Sequence, residues 1–359
     1  MQDFFKNKKI VVTGACGTVG AELCRQLLED LEIGELIGLD NNESEMFFLE
    51  QQFSKYSCVH FALADVRDYS KLTKMFKGVD IVFHSAAYKH VILCERSPME
   101  AVQTNIMGVR NVIDSAIENE VEKVIFTSSD KAVNPTNVMG TSKLMGERLM
   151  TAANSNIRSG KTIFVSTRFG NILGSRGSVI PIFRKQIEKG GPVTLTDSRM
   201  TRFIMSIREA VRLVIDSAFI ALGGEVFVTK MPVIRIKDLA EVMIEEFAPR
   251  YGYKPKDFKI DTIGIKPGEK LYEELISDEE TFRSLELESY FAVLPAFRSL
   301  YREIDYSYAN VINDSLDKAY HSANESALDK KELLKFLLNN NLIEEFDEHQ
   351  THPTESYWP

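Results

Sequence analysis

Short apolar runs alternate with segments of helical periodicity along the first half of the chain. Residues 9–14 (KIVVTG) are rich in β-branched side chains and end in glycine, and residues 21–31 then place leucines at 23, 27 and 28, the spacing of one helix face. Nearly continuous apolar strands are typical of a sheet that is covered on both faces. The same alternation predicts strands at 35–40, 59–66, 80–87, 121–129 and 162–171, and helices at 45–56, 70–76, 99–117 and 138–153.

Repeated strand–helix units predict a parallel, doubly wound sheet of the Rossmann type with right-handed crossovers. The rhythm loosens after Gly174, where helices are predicted at 179–191, 207–222 and 236–248 and short strands at 193–197, 224–230 and 259–265. We therefore predict an α/β protein with a Rossmann-type domain at residues 1–174 and a smaller mixed α/β lobe at 175–300, with elements exchanged between the two. The polar tail, residues 301–359, is expected to be helical or loose, with a poorly ordered end.

Composition narrows the class of protein without identifying it. The 359 residues are 44% hydrophobic and 26% charged, which is typical of a globular protein. A formal net charge of −9 argues against nucleic acid or an anionic membrane as the main partner. The four cysteines form no CxxC pair or zinc-like cluster with histidine, so we expect reduced thiols and no metal site.

The beginning of the chain bears on where the protein works. The first residues, MQDFFKNKK, lack a signal-peptide pattern and are expected to lead straight into a strand. No apolar run reaches the ~18 residues that a membrane span needs. These features predict a cytoplasmic protein without a membrane span.

A glycine-rich turn, GACGTVG, joins the first predicted strand to the first predicted helix. Gly14, Gly17 and Gly20 permit a tight turn and a close approach of the backbone to a pyrophosphate at the helix N-terminus. Asp40 ends the second strand, where a carboxylate accepts hydrogen bonds from an adenosine ribose and repels a 2′-phosphate; residues 41 and 42 are asparagines and supply no compensating arginine. The pattern favours NAD over NADP, and the alternative is a glycine turn that serves only helix–strand packing.

Further residues at strand ends are candidates for the dinucleotide site. Asp65 ends the third strand, where its carboxylate either contacts adenine or caps a helix. Ala86 and Ala87 end the fourth strand, where small residues allow the nicotinamide side to pass close by, whereas Asn105 is expected to make structural hydrogen bonds. The candidate cofactor-binding residues are Gly14, Cys16, Gly17, Thr18, Val19, Gly20, Asp40, Asp65, Val66, Ala86, Ala87 and Lys143.

An acid and a base are adjacent where the fifth strand ends, in TSSDK. In an open α/β sheet the chemistry takes place outside the carboxyl ends of the strands, so Asp130 and Lys131 indicate proton transfer; the alternative is a structural ion pair. Lys143 follows one turn into the next helix, where it is able to hold a nicotinamide ribose or to lie on a solvated helix face. The residue four positions before it is Met139, which carries no ionisable group.

Six separated motifs carry a resemblance to a known family: GACGTVG, SAAYKHV, SSDKAVNPTNVMGTSK, RFGNILGSRGSVIPIF, TDSRMTRF and KPGEKLYEEL. Through them, over about residues 8–277, the chain resembles the extended short-chain dehydrogenase/reductases. More narrowly, it resembles the nucleotide-sugar 4,6-dehydratases that act on UDP-N-acetylglucosamine in bacterial glycan synthesis. One branch of that family has tyrosine four residues before the helix lysine and another has methionine. This chain is similar to the methionine branch, which is associated with retention of configuration at C5.

The resemblance implies a reaction and roles for the residues of the fifth strand end. NAD oxidises C4, a base removes the C5 proton, the C6 hydroxyl leaves with a proton from an acid, and the hydride returns to C6. Asp130 is then the acid and Lys131 the base, which requires a raised aspartate pKa and a lowered lysine pKa. Because Met139 is unable to take the C4 hydroxyl proton, we expect a relay through Ser129, Asp130 or an ordered water. The expected catalytic residues are Ser129, Asp130, Lys131, Met139 and Lys143.

The resemblance also implies a UDP-sugar substrate. Arg202 suits a diphosphate because guanidinium binds phosphate oxygens bidentately, although a surface ion pair is the alternative. His90 has a purely structural alternative, and Lys266 stands where the family often has arginine. The expected substrate-binding residues are Lys89, His90, Asn171, Arg176, Ser178, Val179, Thr194, Arg202, Glu269 and Lys270. A homo-oligomer is expected, since helices at 99–117 and 138–153 commonly form a dimer interface in this superfamily.

Other functions remain open at this point. A nucleotide-sugar epimerase would need no acid at C6, so the Ser–Asp–Lys triplet argues against it. A dehydratase acting on a GDP- or dTDP-sugar is compatible with the residues. A non-enzymatic dinucleotide sensor would have no use for Asp130, Lys131 and Lys143 together.

Overall fold

A computed structural model describes residues 1–154, 161–175, 178–265, 268–297 and 304–343. Within these residues, the apolar runs form strands and the amphipathic segments form helices. The strands are β1 Lys9–Thr13, β2 Glu35–Asp40, β3 Val59–Leu63, β4 Ile81–His84, β5 Lys123–Thr127, β6 Ile163–Arg168, β7 Asn171–Ile172, β8 Val193–Leu195, β9 Thr201–Met205, β10 Val226–Thr229, β11 Val233–Arg235, β12 Ile260–Thr262, β13 Glu274–Ile276, β14 Ser284–Leu287, β15 Tyr290–Val293, β16 Val311–Asn313 and β17 Tyr320–His321. The helices are α1 Gln2–Phe5, α2 Thr18–Glu29, α3 Glu43–Gln52, α4 Tyr69–Met75, α5 Val91–Arg96, α6 Pro98–Ala101, α7 Gly108–Glu118, α8 Val138–Ala153, α9 Val179–Glu188, α10 Ile207–Ile220, α11 Ile236–Phe247, α12 Asp278–Thr281 and α13 Lys330–Asn339.

The main sheet is doubly wound, which confirms the predicted fold class. Its parallel strands lie in the order β3-β2-β1-β4-β5-β6-β10, and the chain reverses direction across the sheet between β1 and β4. Alternate residues of each strand face opposite layers: Ile10 and Val12 pack with α2 and α10, whereas Val11 packs with α4, α7 and α8. Both faces are therefore covered, which explains the nearly continuous apolar strands.

Elements of the predicted second lobe extend the main sheet. Strand β10 pairs parallel to β6, and β15 and β14 then continue the sheet in antiparallel pairs. The rest of the lobe has its own core, in which α9, α11 and α13 pack around the small sheets β11-β9-β7 and β12-β8. The cleft between this core and the carboxyl ends of the parallel strands is where the predicted site residues collect.

Some local predictions were wrong. The chain does not lead straight into β1, because Gln2–Phe5 forms a helical turn whose Phe5 is buried. The short helix α5 was missed, and the predicted helix at 99–117 contains a π-helical segment, Val102–Met107. The tail prediction was right in part: α13 is helical, but its Leu333 and Leu337 are buried in the lobe core and β17 pairs with β13. The last residues, from 344 on, lie outside the described residues.

Two further observations concern the molecule as a whole. Within the described residues, no helix is both long and apolar enough to cross a lipid bilayer. No disulfide joins the four cysteines, all of which lie in described segments.

Candidate active site

A cleft of about 760 Å³ lies at the carboxyl ends of the parallel strands and brings most of the predicted site residues together. It is lined by the turn after β1, the ends of β4 and β5, the start of α8, and parts of β7, α9, β8 and β9. The predicted residues that line it are Gly17, Thr18, Val19, Gly20, Ala87, Lys89, His90, Ser129, Asp130, Lys131, Met139, Lys143, Asn171, Ser178, Val179, Thr194, Arg202 and Glu269. The predicted residues outside its lining are Gly14, Cys16, Asp40, Asp65, Val66, Ala86 and Lys270. Arg176 and Lys266 lie outside the described residues.

The glycine turn is built on close backbone approaches. Gly14 has φ +72°, and a Cβ there would lie 2.6 Å from the amide nitrogen of Ala86. A Cβ on Gly20 would lie 2.0 Å from the carbonyl oxygen of Gly14, so the first turn of α2 packs directly on the end of β1. Asp40 closes the turn from the side, because its carboxylate accepts a hydrogen bond from the amide of Cys16 at 3.0 Å. These glycines bring the turn and the start of α2 together without side chains, and Gly17 lines the cleft, an arrangement that fits a dinucleotide pyrophosphate.

Asp65 is held by a neighbouring arginine. The Arg67 guanidinium donates to both carboxylate oxygens, at 2.9 and 2.6 Å, and lowers the pKa of Asp65 to about 2. The helix-cap alternative for Asp65 is wrong, because Asp68 caps α4 by accepting from the amide of Lys71. A contact of Asp65 and Val66 with adenine stays a prediction.

Ser129, Asp130 and Lys131 form a hydrogen-bonded cluster immediately after β5. The Ser129 hydroxyl donates to Asp130 Oδ1 at 2.5 Å, and Lys131 Nζ lies 3.1 and 3.2 Å from the two carboxylate oxygens. Asp130 is only 1% exposed, whereas the Lys131 side chain is 30% exposed and reaches the cleft. A hydroxyl, an acid and a base thus stand side by side.

The electrostatics of this pair differ from the sequence-based prediction. Burial on its own would raise the pKa of Asp130, but the Lys131 ammonium and the Ser129 hydroxyl hold it below its ordinary value. Burial would likewise lower the pKa of Lys131, but the carboxylates of Asp130 and Glu273 raise it. The predicted raised aspartate and lowered lysine were wrong for this arrangement, because the two groups stabilise each other's charged form.

Lys143 is buried rather than solvated. Its Nζ donates to the carbonyl oxygen of Thr127 at 2.9 Å and lies 4.6 Å from the centre of the Phe126 ring. The side chain is 6% exposed, and burial lowers the pKa of Lys143 to about 8. The alternative of a solvated helix face is therefore wrong.

Met139 belongs to a small apolar cluster with Cys94 and Ala101 and lines the cleft beside Lys143. Met139 is 3% exposed, so its side chain contributes to apolar packing. The resemblance places a tyrosine at this position in the other branch of the family. The next residue, Gly140, was missed by the sequence analysis. A Cβ on Gly140 would lie 2.2 Å from the carbonyl oxygen of Lys131, so this glycine lets α8 touch the turn that carries the acid and the base.

Asn105 makes the structural hydrogen bonds that the sequence predicted. Its side chain accepts from the amide of Tyr88 at 2.8 Å, donates to the carbonyl oxygen of Tyr88 at 2.9 Å, and donates to Ser142 Oγ. It lies in the π-helical segment, a feature that frequently occurs at functional sites. The segment after β4, with Lys89 and His90, is thereby fastened to α8.

Arg202 is buried, so the surface ion-pair alternative is wrong. Its guanidinium donates to the carbonyl oxygens of Thr201, Lys270 and Leu271, at 2.7, 2.8 and 3.1 Å. Lys270 in turn donates to the carbonyl oxygen of Val133, at 2.9 Å. These bonds fasten the KPGEKLYEEL segment to β9 and to the turn after β5; a diphosphate contact of Arg202 stays a prediction.

Glu273 is a buried carboxylate beside Lys131 that the sequence analysis did not single out. It is 4% exposed, and its Oε1 lies 3.8 Å from Lys131 Nζ and 3.4 Å from Arg202 Nε. Its Oε2 has no hydrogen-bond partner among the described residues. Burial, followed by the negative charge of Asp130, raises the pKa of Glu273. Its motif was visible in the sequence, but its distance from Lys131 was not.

Comparison with known proteins identifies relatives over most of the chain. The sequence profile of the family described as polysaccharide biosynthesis protein matches residues 10–295. A Methanocaldococcus jannaschii protein named as an uncharacterized membrane protein is 52% identical, over 82% of this chain and 88% of its own. A Campylobacter jejuni UDP-N-acetylglucosamine 4,6-dehydratase (inverting) is 37% identical, over 93% and 98%. A Rickettsia akari UDP-glucose 4-epimerase is also 37% identical, over 95% and 98%.

Solved structures agree with the fold. The X-ray structure of Pen from Bacillus thuringiensis is 40% identical and superposes with a TM-score of 0.87, over 94% of this chain and 99% of that one. A dTDP-glucose 4,6-dehydratase from Streptomyces venezuelae, solved with NAD bound, shares the fold at 20% identity with a TM-score of 0.62, over 73% and 86%.

Proposed function

The chain belongs to the polysaccharide biosynthesis protein family, within the extended short-chain dehydrogenase/reductases, and we propose that it is an NAD-dependent UDP-N-acetylglucosamine 4,6-dehydratase. Relatives over most of the chain include a nucleotide-sugar dehydratase and a nucleotide-sugar epimerase, which supports an enzyme of this class. The choice of dehydration rests on one observation, the hydrogen-bonded cluster of Ser129, Asp130 and Lys131 in the cleft. Dehydration needs an acid at C6 beside a base at C5, and C4 epimerisation does not.

The glycine turn and Asp40 support NAD as the cofactor. When bound, NAD takes the C4 hydride and later returns it to C6. The backbone at Gly14, Gly17 and Gly20 would hold the pyrophosphate, and the Asp40 carboxylate would accept from the adenosine ribose. Lys143, held by the carbonyl of Thr127, would hold the nicotinamide ribose.

The ionised state of Asp130 suggests how the chain replaces the missing tyrosine. Ser129 donates its hydrogen bond to Asp130, so it is able to pass the C4 hydroxyl proton to that carboxylate. The lowered pKa keeps Asp130 ionised, so the carboxylate is available as the acceptor. The proton stored on Asp130 then leaves with the C6 oxygen as water. One proton thus serves both steps, and Met139 needs no chemical role.

The lobe side of the cleft supports a nucleotide-sugar substrate. We propose that Lys89 and His90 contact the sugar, that Asn171 and Arg202 serve the diphosphate, and that Glu269 and Lys270 serve the nucleotide ribose. Ser178, Val179 and Thr194 would surround the uracil, next to the exposed Ile182 and Ile263. Arg176 adds a cation in the same motif.

Two finer features of the function are also proposals. Retention at C5 is supported by Met139, while the Campylobacter jejuni relative is named as inverting, so the C5 configuration of the product tests it directly. A homo-oligomer is supported by exposed apolar side chains on α5, α6 and α8, namely Leu93, Met99 and Met145.

A 4-epimerase is the second candidate, because the Rickettsia akari relative of that name is as similar as the dehydratase. Incubation of the purified protein with UDP-N-acetylglucosamine, followed by mass spectrometry and nuclear magnetic resonance, separates the two. A product lighter by one water supports dehydration, and an isomer of unchanged mass supports epimerisation. Replacing UDP by GDP or dTDP in the substrate tests the base preference.

Two variants test the assigned roles. Asp130→Asn should abolish dehydration, since it removes both the proton acceptor and the acid. Lys131→Ala should abolish exchange of the C5 hydrogen with deuterated solvent. Full turnover of Asp130→Asn, or unchanged C5 exchange in Lys131→Ala, would contradict the roles.

A further inference from the structure

We propose that Glu273 is a positioning residue that accepts the proton of Lys131, so that Lys131 meets the substrate as a neutral base. The inference rests on the proposed dehydration and concerns a carboxylate that lies far along the chain from the catalytic turn. Lys131 is paired with Asp130 as an ammonium, and an ammonium is unable to remove the C5 proton. A proton acceptor beside Lys131 would convert it into the neutral base that the reaction needs.

Glu273 is the second carboxylate close to the Lys131 ammonium. Lys131 Nζ lies 3.1 and 3.2 Å from the oxygens of Asp130 and 3.8 Å from Oε1 of Glu273. The ammonium therefore lies within 4 Å of both carboxylates. The main chain of Glu273 is fixed, because its amide donates to Ser322 Oγ at 2.9 Å and its carbonyl oxygen accepts from the Ser322 amide at 2.8 Å.

The charged groups around Glu273 come from three parts of the chain. Asp130 and Lys131 face it from the turn after β5, Arg202 from β9 at 3.4 Å, and Lys270 from its own segment. Arg202 and the two lysines favour the ionised carboxylate, while burial and Asp130 oppose it more strongly. A buried Oε2 without a partner among the described residues adds to this cost, since a buried unpaired acceptor forfeits its hydration. Glu273 thus sits where taking a proton relieves an unfavourable state.

The proton count closes over the whole reaction. An N–H bond of Lys131 breaks and an O–H bond forms on Glu273, which leaves Lys131 neutral and Asp130 ionised. Asp130 then receives the C4 hydroxyl proton through Ser129, and Lys131 receives the C5 proton. Asp130 gives its proton to the C6 oxygen, which leaves as water, and Lys131 returns its proton to C5 when the hydride reaches C6. Glu273 finally returns its proton to Lys131, so the three side chains end as they began.

A structural ion pair would account for the charges but not for this arrangement. A purely stabilising carboxylate would direct both oxygens at donors, as the carboxylate of Glu280 does toward Arg168 at 2.7 and 2.8 Å. Glu273 instead approaches Lys131 and Arg202 with one oxygen only. Both carboxylates belong to this chain, so Glu280 serves as an internal comparison for Glu273.

The test compares Glu273→Gln with Glu274→Gln, which makes the same change at the adjacent residue. Within the described residues, the only hydrogen bond to the Glu274 carboxylate comes from Asn134 Nδ2. Wild-type turnover should be level over about pH 7–9, because the reactive proton arrangement forms without loss of a proton to solvent. Without the acceptor, Lys131 must lose its proton to solvent. Glu273→Gln turnover should therefore fall about 10²-fold near neutral pH and rise with pH, by up to about tenfold per unit. Glu274→Gln should keep the wild-type rate and profile.

A measurement without substrate checks the same group. The folded pKa of Glu273 lies above its unfolded value of 4.5, so its contribution to stability is present below that pH and is lost as the pH rises. The glutamine variant does not titrate. The melting temperature of Glu273→Gln minus that of wild type should therefore increase as the pH is raised from 4.5 toward neutrality.

The outcomes separate the two proposals. If wild type dehydrates UDP-N-acetylglucosamine and Glu273→Gln shows a wild-type profile shape, at any rate, the inference about Glu273 is overturned and the function stands. If wild type gives no dehydrated product, both fall. Should Glu273→Gln fail to fold, Glu273→Asp decides: it keeps a carboxylate on a shorter stem, so a reduced rate with a level profile supports the inference, and a profile that rises with pH overturns it.

Discussion

Gly140 tests how α8 positions the turn after β5, which carries Ser129, Asp130 and Lys131. In Gly140→Ala the new methyl would lie 2.2 Å from the carbonyl oxygen of Lys131, where ordinary contacts begin at 3.4 Å. The backbone of the turn is unable to yield as a flexible side chain would, so α8 and the turn must separate by about 1 Å. Lys131 and Asp130 then move relative to Lys143, which stays on the helix.

The expected loss of activity exceeds the expected loss of stability. Overpacking a site of this kind costs about 1–3 kcal/mol, and alanine regains about 1 kcal/mol over glycine within a helix. The free energy of unfolding should therefore fall by about 0–2 kcal/mol. A misplacement of about 1 Å at reacting groups costs about 10²-fold in rate. Turnover with UDP-N-acetylglucosamine and thermal unfolding measure the two effects.

Gly34→Ala is the matched control. Its methyl would also meet a backbone carbonyl, 2.5 Å from the oxygen of Asn7, but Gly34 does not line the cleft. This variant should lose stability and keep wild-type turnover in its folded fraction. Wild-type turnover in Gly140→Ala, or an equal loss in both variants, would refute the argument that α8 positions the turn through Gly140.

Three further predictions concern individual side chains. Met139→Tyr should lose about 1–3 kcal/mol of stability by overpacking its apolar cluster and should not gain turnover; a large gain would mean that the relay through Ser129 is not the native route. Asp40→Asn keeps an acceptor for the amide of Cys16 but removes the charge, so the ratio of NAD to NADP affinity should fall by about tenfold; an unchanged ratio in equilibrium binding would contradict the role of Asp40. Lys143 has a folded pKa of about 8 and an unfolded value of 10.5, so the unfolded state binds more protons between these values and wild-type stability rises with pH there. Lys143→Met lacks this titrating group, so its stability does not rise in the same way. The free energy of unfolding of the variant minus that of wild type should therefore fall by on the order of 3 kcal/mol between pH 8 and 10.5. A difference that stays constant over this range would contradict the burial of the charge.

The parallel core of the fold was predictable because its signals are local. Apolar runs and glycine positions mark β1 to β6 and the dinucleotide turn, and each depends on neighbouring residues only. The pairing of β10 with β6 was not predictable, since the segment 224–230 reads as a strand wherever it pairs. The order of strands in a sheet depends on packing between distant segments, which a periodicity does not contain.

The site residues also divide into those that local sequence predicts and those that only the fold brings together. Ser129, Asp130 and Lys131 are adjacent in the chain, so their cluster was visible in the sequence. Glu273 reaches Lys131 only through the folded lobe, and Gly140 looked like an ordinary weak helix residue until its distance to Lys131 was known. The predicted pKa directions were wrong because they followed from the roles expected of an acid and a base, whereas the adjacent charges of Asp130 and Lys131 stabilise each other.

The central claim is that this protein removes water across C5 and C6 and returns the C4 hydride to C6. UDP-N-acetylglucosamine deuterated at C4 tests it in one incubation, read by mass and by nuclear magnetic resonance. The account predicts a 4-keto-6-deoxy product that has lost one water and carries the deuterium on C6. A product of unchanged elemental composition with the deuterium still on C4 would contradict it.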